Sequence, residues 1–359
     1  MRSRWFLALY CALLSGACSN EKGGTNADSS VRPIARASAQ SADTVSTPAP
    51  TPSTEPARAP NELGRVMVLE YHLVGANEAR WERQRDRFRK DLELLYQRGY
   101  RPISASELVD RKIDLPAGLS PVVITFDDAS PSQFRFLERN GQLEIDPTSA
   151  VGIWLDFATQ HSDWRNKAVF CLLSGAEAGR SFFGNKDIEG QKTEWRHRKV
   201  KFLAEQGFEL CNHTLWHAQL SKYDDAFVQE QIARLQMAVD SAVPGYRIRV
   251  LALPLGLWPK NRELARKGAW TDPKSGRTIS YQHDAVLEVA GGPTRGPHDP
   301  NFDAYSLDRL QVTGSDLEKA MDYLEKTGTG YVSDGNPAVV ARGNATPTTT
   351  PAKPGSPRH

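Results

Sequence analysis

Pro121–Phe126 reads Pro-Val-Val-Ile-Thr-Phe, and two acids, Asp127 and Asp128, stand directly behind it. A β-branched run with no polar alternation has no face to give to solvent, so it reads as a strand covered on both sides, the situation of a parallel sheet. Acids at the C-terminal end of such a strand lie where open α/β sheets and barrels build their sites. The rest of the chain repeats the unit. Strand-like runs near 66–71, 168–173, 208–211, 248–253, 284–289 and 308–312 alternate with helical patterns near 80–98, 150–160, 195–206, 224–242, 260–267 and 315–326, before a last strand near 330–333. This alternation predicts an α/β fold with a parallel sheet, and about seven strands with Asp and His at their C-terminal ends fit an irregular barrel. The intervals 132–166 and 268–282 read as insertions on that frame.

His213 and His217 follow a second apolar run, Phe208-Glu209-Leu210-Cys211. Their i, i+4 spacing predicts both rings on one side of a helical turn. One carboxylate with two imidazoles is a common ligand set for catalytic zinc and leaves a position open. Adjacent carboxylates on an extended chain point in different directions, so one acid can bind metal while the other serves as a base on water. Alone, an Asp-Asp pair reads as a turn or cap, and His-x-x-x-His as a helix surface. Each just behind a core strand, the two together read as a hydrolytic metal site.

These residues resemble the motifs of the polysaccharide deacetylase family, the NodB-homology carbohydrate esterases of family four. Thr125-Phe126-Asp127-Asp128 is similar to the first motif and implies Asp127 as catalytic base and Asp128 as metal ligand. His213-Thr214-Leu215-Trp216-His217 is similar to the second and implies both histidines as ligands. Leu253-Pro254-Leu255-Gly256 resembles the third, with Ala252 where many members carry Arg and Leu255 where they carry Tyr. The Leu255 backbone amide is implied as an oxyanion donor, a role that needs no side chain. The variant third motif, the opening Val66–His72 and the Ser306–Leu310 segment are nearest the subgroup that deacetylates biofilm poly-N-acetylglucosamine. That likeness implies His72 as general acid, with His298 the alternative, and Arg309 beside the base. The resemblance implies a distorted (β/α) barrel, a Zn2+ ion (or Co2+ or Ni2+), and hydrolysis of N-acetyl groups on a cell-envelope or extracellular polysaccharide. An O-acetyl glycan esterase and an inactive glycan-binding protein are the alternatives. Trp154, Phe157, His161 and Trp164 in the first insertion either stack on sugar rings or pack the insertion onto the barrel.

The chain opens with Arg2 and Arg4, an apolar run from Trp5 to Leu14, and Ser-Gly-Ala-Cys ending at Cys18. This predicts an export signal over 1–18, too short for a membrane span, with Cys18 as a lipid attachment site. The expected location is the cell envelope, at the outer membrane or periplasmic face, with secretion as the alternative. Residues 19–60 are rich in Ser, Thr, Ala and Pro and cannot bury a core, so they predict a flexible tether of ~35 Å mean span. The tail 343–359 has the same character, leaving 61–342 as one deacetylase domain. A net charge of +2 gives no reason to expect nucleic acid, and no protein partner is inferable. Cys171 and Cys211 remain within strand-like runs, either as a disulfide or as buried thiols.

Overall fold

The computed structural model describes residues 58–176 and 180–342. The export segment, Cys11, Cys18, nearly all of the predicted tether and the tail 343–359 lie outside the described residues. In chain order the elements are β1 (Met67–Tyr71), β2 (Leu73–Gly75), β3 (Glu82–Gln84), α1 (Arg85–Gln97), β4 (Tyr100–Pro102), α2 (Ala105–Val109), β5 (Ser120–Phe126), β6 (Phe136–Arg139), β7 (Gln142–Ile145) and α3 (Ala150–Gln160). They continue with β8 (Val169–Leu172), α4 (Arg196–Glu205), β9 (Glu209–Asn212), α5 (Asp225–Ala242), β10 (Val250–Ala252), β11 (Lys267–Thr271), β12 (Thr278–Gln282), β13 (Ala285–Gly291), β14 (Leu307–Gln311) and α6 (Asp316–Thr327).

Seven parallel strands close into a ring in the order β1, β14, β13, β10, β9, β8, β5, and β5 pairs back onto β1 over Val122–Phe126. The predicted barrel is therefore present. An eighth strand, β4, pairs with Ser120–Val122 of β5 outside the ring. Arg101 and Pro102 give it no strand signature, which is why the sequence did not announce it.

Every residue of β5 is buried, as the run predicted. Its side chains alternate between two cores: Val122, Ile124 and Phe126 join the layer beneath the helices, and Val123 joins the barrel interior. On β1, Met67, Leu69 and Tyr71 face the helices while Val68, with Val66 just before the strand, fills the interior. Each such fully buried Val, Ile or Phe contributes about 1.5–3 kcal/mol. The same period of two carries the inward row upward to Glu70 on β1 and His72 just beyond it, to Thr125 on β5 and Asp127 just beyond it, to His213 after Cys211, and to Arg309 after Leu307.

Two expectations change. The helix near 260–267 is a single 3-10 turn, Arg262–Ala265, that feeds the hairpin of β11 and β12, and this hairpin is the second insertion. The strand near 330–333 is reduced to isolated bridges, Arg65 with Gly330 and Asn61 with Val332. In the first insertion, a hairpin of β6 and β7 followed by α3, Trp154, Phe157 and Trp164 are buried in the outer core, and His161 stacks on Phe157 at 4.0 Å. Packing, and not sugar contact, explains those rings. Cys171 and Cys211 are register partners on β8 and β9 and are free, buried thiols. No helix among the described residues is long and apolar enough to cross a membrane.

Candidate active site

The inward row at the C-terminal mouth of the barrel converges on Arg309. Its guanidinium grips both oxygens of Asp127, Nη1 to Oδ1 at 2.9 Å and Nη2 to Oδ2 at 2.8 Å, and also donates to Glu70 Oε1 at 2.9 Å and Thr125 Oγ1 at 3.0 Å. All four side chains are buried. Burial alone would raise the Asp127 carboxyl, but the adjoining guanidinium outweighs it and holds Asp127 well below the usual carboxylate range. Glu70 goes the other way: burial and the neighbouring Asp127 charge, opposed by Arg309, push it up to about 8. Arg309, on β14, thus stands beside the predicted base.

Asp128, His213 and His217 offer ligand atoms that all lie within 4.8 Å of one another. His213 Nε2 is 3.6 Å and His217 Nε2 3.7 Å from Asp128 Oδ1. His213 Nδ1 lies 2.9 Å from the Ala252 carbonyl, which can only accept, so the proton sits on Nδ1 and Nε2 presents a lone pair. Both His213 Nε2 and Asp128 Oδ1 are buried without a hydrogen-bond partner, although two acceptors cannot satisfy each other. Burial pushes His217 down to about 4 and keeps its ring neutral at physiological pH. Converging buried atoms without hydrogen-bond partners and a neutral His217 ring are what a divalent cation requires, so the residues fit a metal.

The backbone reaches this arrangement by a route the spacing did not predict. Residues 213–217 form a turn and not a helix, with left-handed φ of 67° at both Thr214 and His217. Asp128 also has a left-handed φ of 78°, which brings it back to the mouth beside Asp127 instead of leaving it on the opposite strand face. Non-glycine residues in this region cost of order 1–3 kcal/mol each and gather at functional sites.

His72 stands close to Asp127: a ring nitrogen of His72 and a carboxylate oxygen each of Glu70 and Asp127 lie within 4.8 Å of one another. Burial lowers its pKa despite the nearby acids, and its ring packs against Trp81 at 4.6 Å between centroids. The alternative, His298, is placed differently, with Glu62 and Arg111 as its charged neighbours and none of the site residues among them. Leu255 sits three residues past Ala252 in a 3-10 turn, half exposed, with a φ of 58°. Three neighbours escaped the sequence reading: Glu70, Trp81, and Arg180, whose Nη1 is 3.2 Å from Asp128 Oδ2. Glu70 was legible as a polar interruption in an otherwise apolar strand. The other two carry no signal of their own.

Residues 162–269 match the family described as polysaccharide deacetylase, a span that holds both histidines and the Leu255 turn but not Asp127, Asp128, His72 or Arg309. A chitooligosaccharide deacetylase of Sinorhizobium fredii is 25% identical over 31% of this chain and 50% of its own length. One from Bradyrhizobium is 22% identical over 32% of this chain and 51% of its own. The chain thus spans about half the length of the curated relatives it matches. A Bacillus anthracis crystal structure assigned as a polysaccharide deacetylase superposes with a TM-score of 0.50 at 15% identity, covering 72% of this chain and 69% of that one, which shows a shared fold. With the family match over 162–269, the matching curated relatives and the seven-strand barrel, the resemblance to the polysaccharide deacetylase family read from the motifs is borne out.

Proposed function

We propose that this protein is a metal-dependent hydrolase that removes N-acetyl groups from a cell-envelope or extracellular polysaccharide. The observation that carries the reading is the meeting of two buried, unpartnered acceptors, Asp128 Oδ1 and His213 Nε2, beside a carboxylate held ionised by Arg309. Asp128, His213 and His217 would hold the ion, zinc in the first instance, with cobalt or nickel as substitutes. Bound there, it supplies Lewis acidity to the acetyl carbonyl and makes water easier to deprotonate. Asp127 takes the proton from the attacking water, the Leu255 N–H donates to the developing oxyanion, and His72 delivers a proton to the leaving nitrogen. A depressed pKa makes the His72 imidazolium the stronger acid for that last step. The intact set of four residues weighs against a binding protein that has lost catalysis.

Export and lipid attachment at Cys18 complete the proposal, giving a partner in the membrane and a substrate in the acetylated glycan outside it. The decisive pair of variants is Asp127→Asn and Asp128→Asn. The first should retain stoichiometric metal and lose roughly a hundredfold or more in acetate release, the scale of a missing general base. The second should lose metal as well. Metal content by mass spectrometry and acetate release from chitin oligomers and acetylated xylan separate the outcomes. An Asp127→Asn protein as fast as the parent removes the base assignment, and a parent active only on xylan replaces the amide with an ester.

A further inference from the structure

Asp128 has two oxygens with different surroundings. Oδ1 faces the two histidines and has no hydrogen-bond partner, while Oδ2 is engaged by Arg180 Nη1 at 3.2 Å. The Arg180 side chain is 43% exposed, so its position is set by what lies next to it along the chain. Ser181 is buried, bridges Leu173 and donates its hydroxyl to the Ser174 carbonyl. That hydroxyl accepts in turn from Arg196 Nη1 at 2.7 Å. The same stretch holds the histidine turn: the N–H groups of Ser174 and Gly175 both donate to the Leu215 carbonyl, at 3.1 and 2.7 Å. Gly175 permits this approach, since a Cβ there would stand 2.8 Å from Leu215 Cγ. Leu173–Gly175 and Arg180–Ser181 therefore tie the carboxylate half of the cluster to its imidazole half.

We propose that Arg180 is a positioning residue of the metal site: by occupying Asp128 Oδ2 it makes this carboxylate a one-oxygen ligand through Oδ1. A carboxylate with both oxygens free can chelate, which would fill a position the acetyl carbonyl or water needs. The guanidinium also balances the Asp128 charge while the site is empty of cation. This rests on the metal reading above, and deepens it by adding a residue that touches neither ion nor substrate.

The test uses the full chain titrated with Co2+, whose d–d absorption reports coordination number, with the parent, Arg180→Ala, Arg180→Lys and His217→Ala compared. Arg180→Ala should shift the spectrum toward the weaker bands of higher coordination and change Co2+ affinity by about 10- to 100-fold, the usual effect of losing a residue that orients a ligand. Arg180→Lys keeps one charged donor and should recover most of both. The Arg180 assignment is overturned if Arg180→Ala matches the parent in affinity and spectrum, or if Arg180→Lys is no better than Arg180→Ala. A parent that binds no Co2+ instead overturns the metal reading itself, so the two failures are distinct.

Discussion

Glu70 and Asp127 share one guanidinium yet carry opposite shifts. Asp127 is held below its unfolded value, so its share of stability is present above about pH 4 and is lost as pH falls through the depressed pKa. For Glu70, raised to about 8 in the folded chain, the contribution is complete below its ordinary 4.5 and disappears as pH rises through 8. Glu70→Gln cannot ionise. Its stability relative to the parent should therefore climb between pH 5 and pH 8, by on the order of 1 kcal/mol or more, given 1.36 kcal/mol per pKa unit. Urea unfolding at the two pH values checks this, and a constant difference between variant and parent would refute it. Arg309→Ala leaves both carboxyls in the barrel without their cation and should cost about 3–5 kcal/mol in the same assay at pH 7. An Arg309→Ala protein as stable as its parent would mean that water or a counter-ion already screens the pair.

β1, β5 and β9 were legible because each is buried on both faces, and burial on both faces leaves a mostly apolar run without the regular polar alternation of a half-exposed strand. The period of two then places Glu70, His72, Asp127 and Arg309 on one inward row without further information. The turn at 213–217 was not legible, because Thr214 and His217 adopt left-handed φ without glycine, and only the surrounding contacts enforce that. The two rings thus meet beside Asp128, but on a turn where the spacing predicted a helix. β8 and β9 settle the cysteine alternatives in favour of thiols: Cys171 and Cys211 face each other in register within the barrel, and burial raises both pKa values. Neither thiol should react with Ellman's reagent under native conditions, and both should react in guanidinium chloride. Modification of either one in the folded protein, mapped by peptide mass, would contradict the packing.

Across the whole molecule, one barrel with a shell of helices supports the site, and the described chain returns on itself where Asn61 and Val332 exchange backbone hydrogen bonds. The proposed anchor lies far upstream in the chain. Cys18→Ser should accordingly move the protein from the membrane fraction to the soluble fraction while acetate release per mole of protein stays within about twofold; retention in the membrane fraction would point to a different attachment. The ring also has an order of assembly. β1 sits between β5 and β14, so His72 and Asp127 lie at the seam where the first strand meets its neighbours, and the cation that holds Asp127 comes from the last strand of the ring. A ribosome delivers Asp127, Asp128, His213 and His217 before it delivers Leu307–Gln311. Until that strand docks, Asp127 lacks its Arg309 counter-charge and the cylinder stays open, so a half-made chain would hold these side chains without the arrangement that the proposed hydrolysis needs.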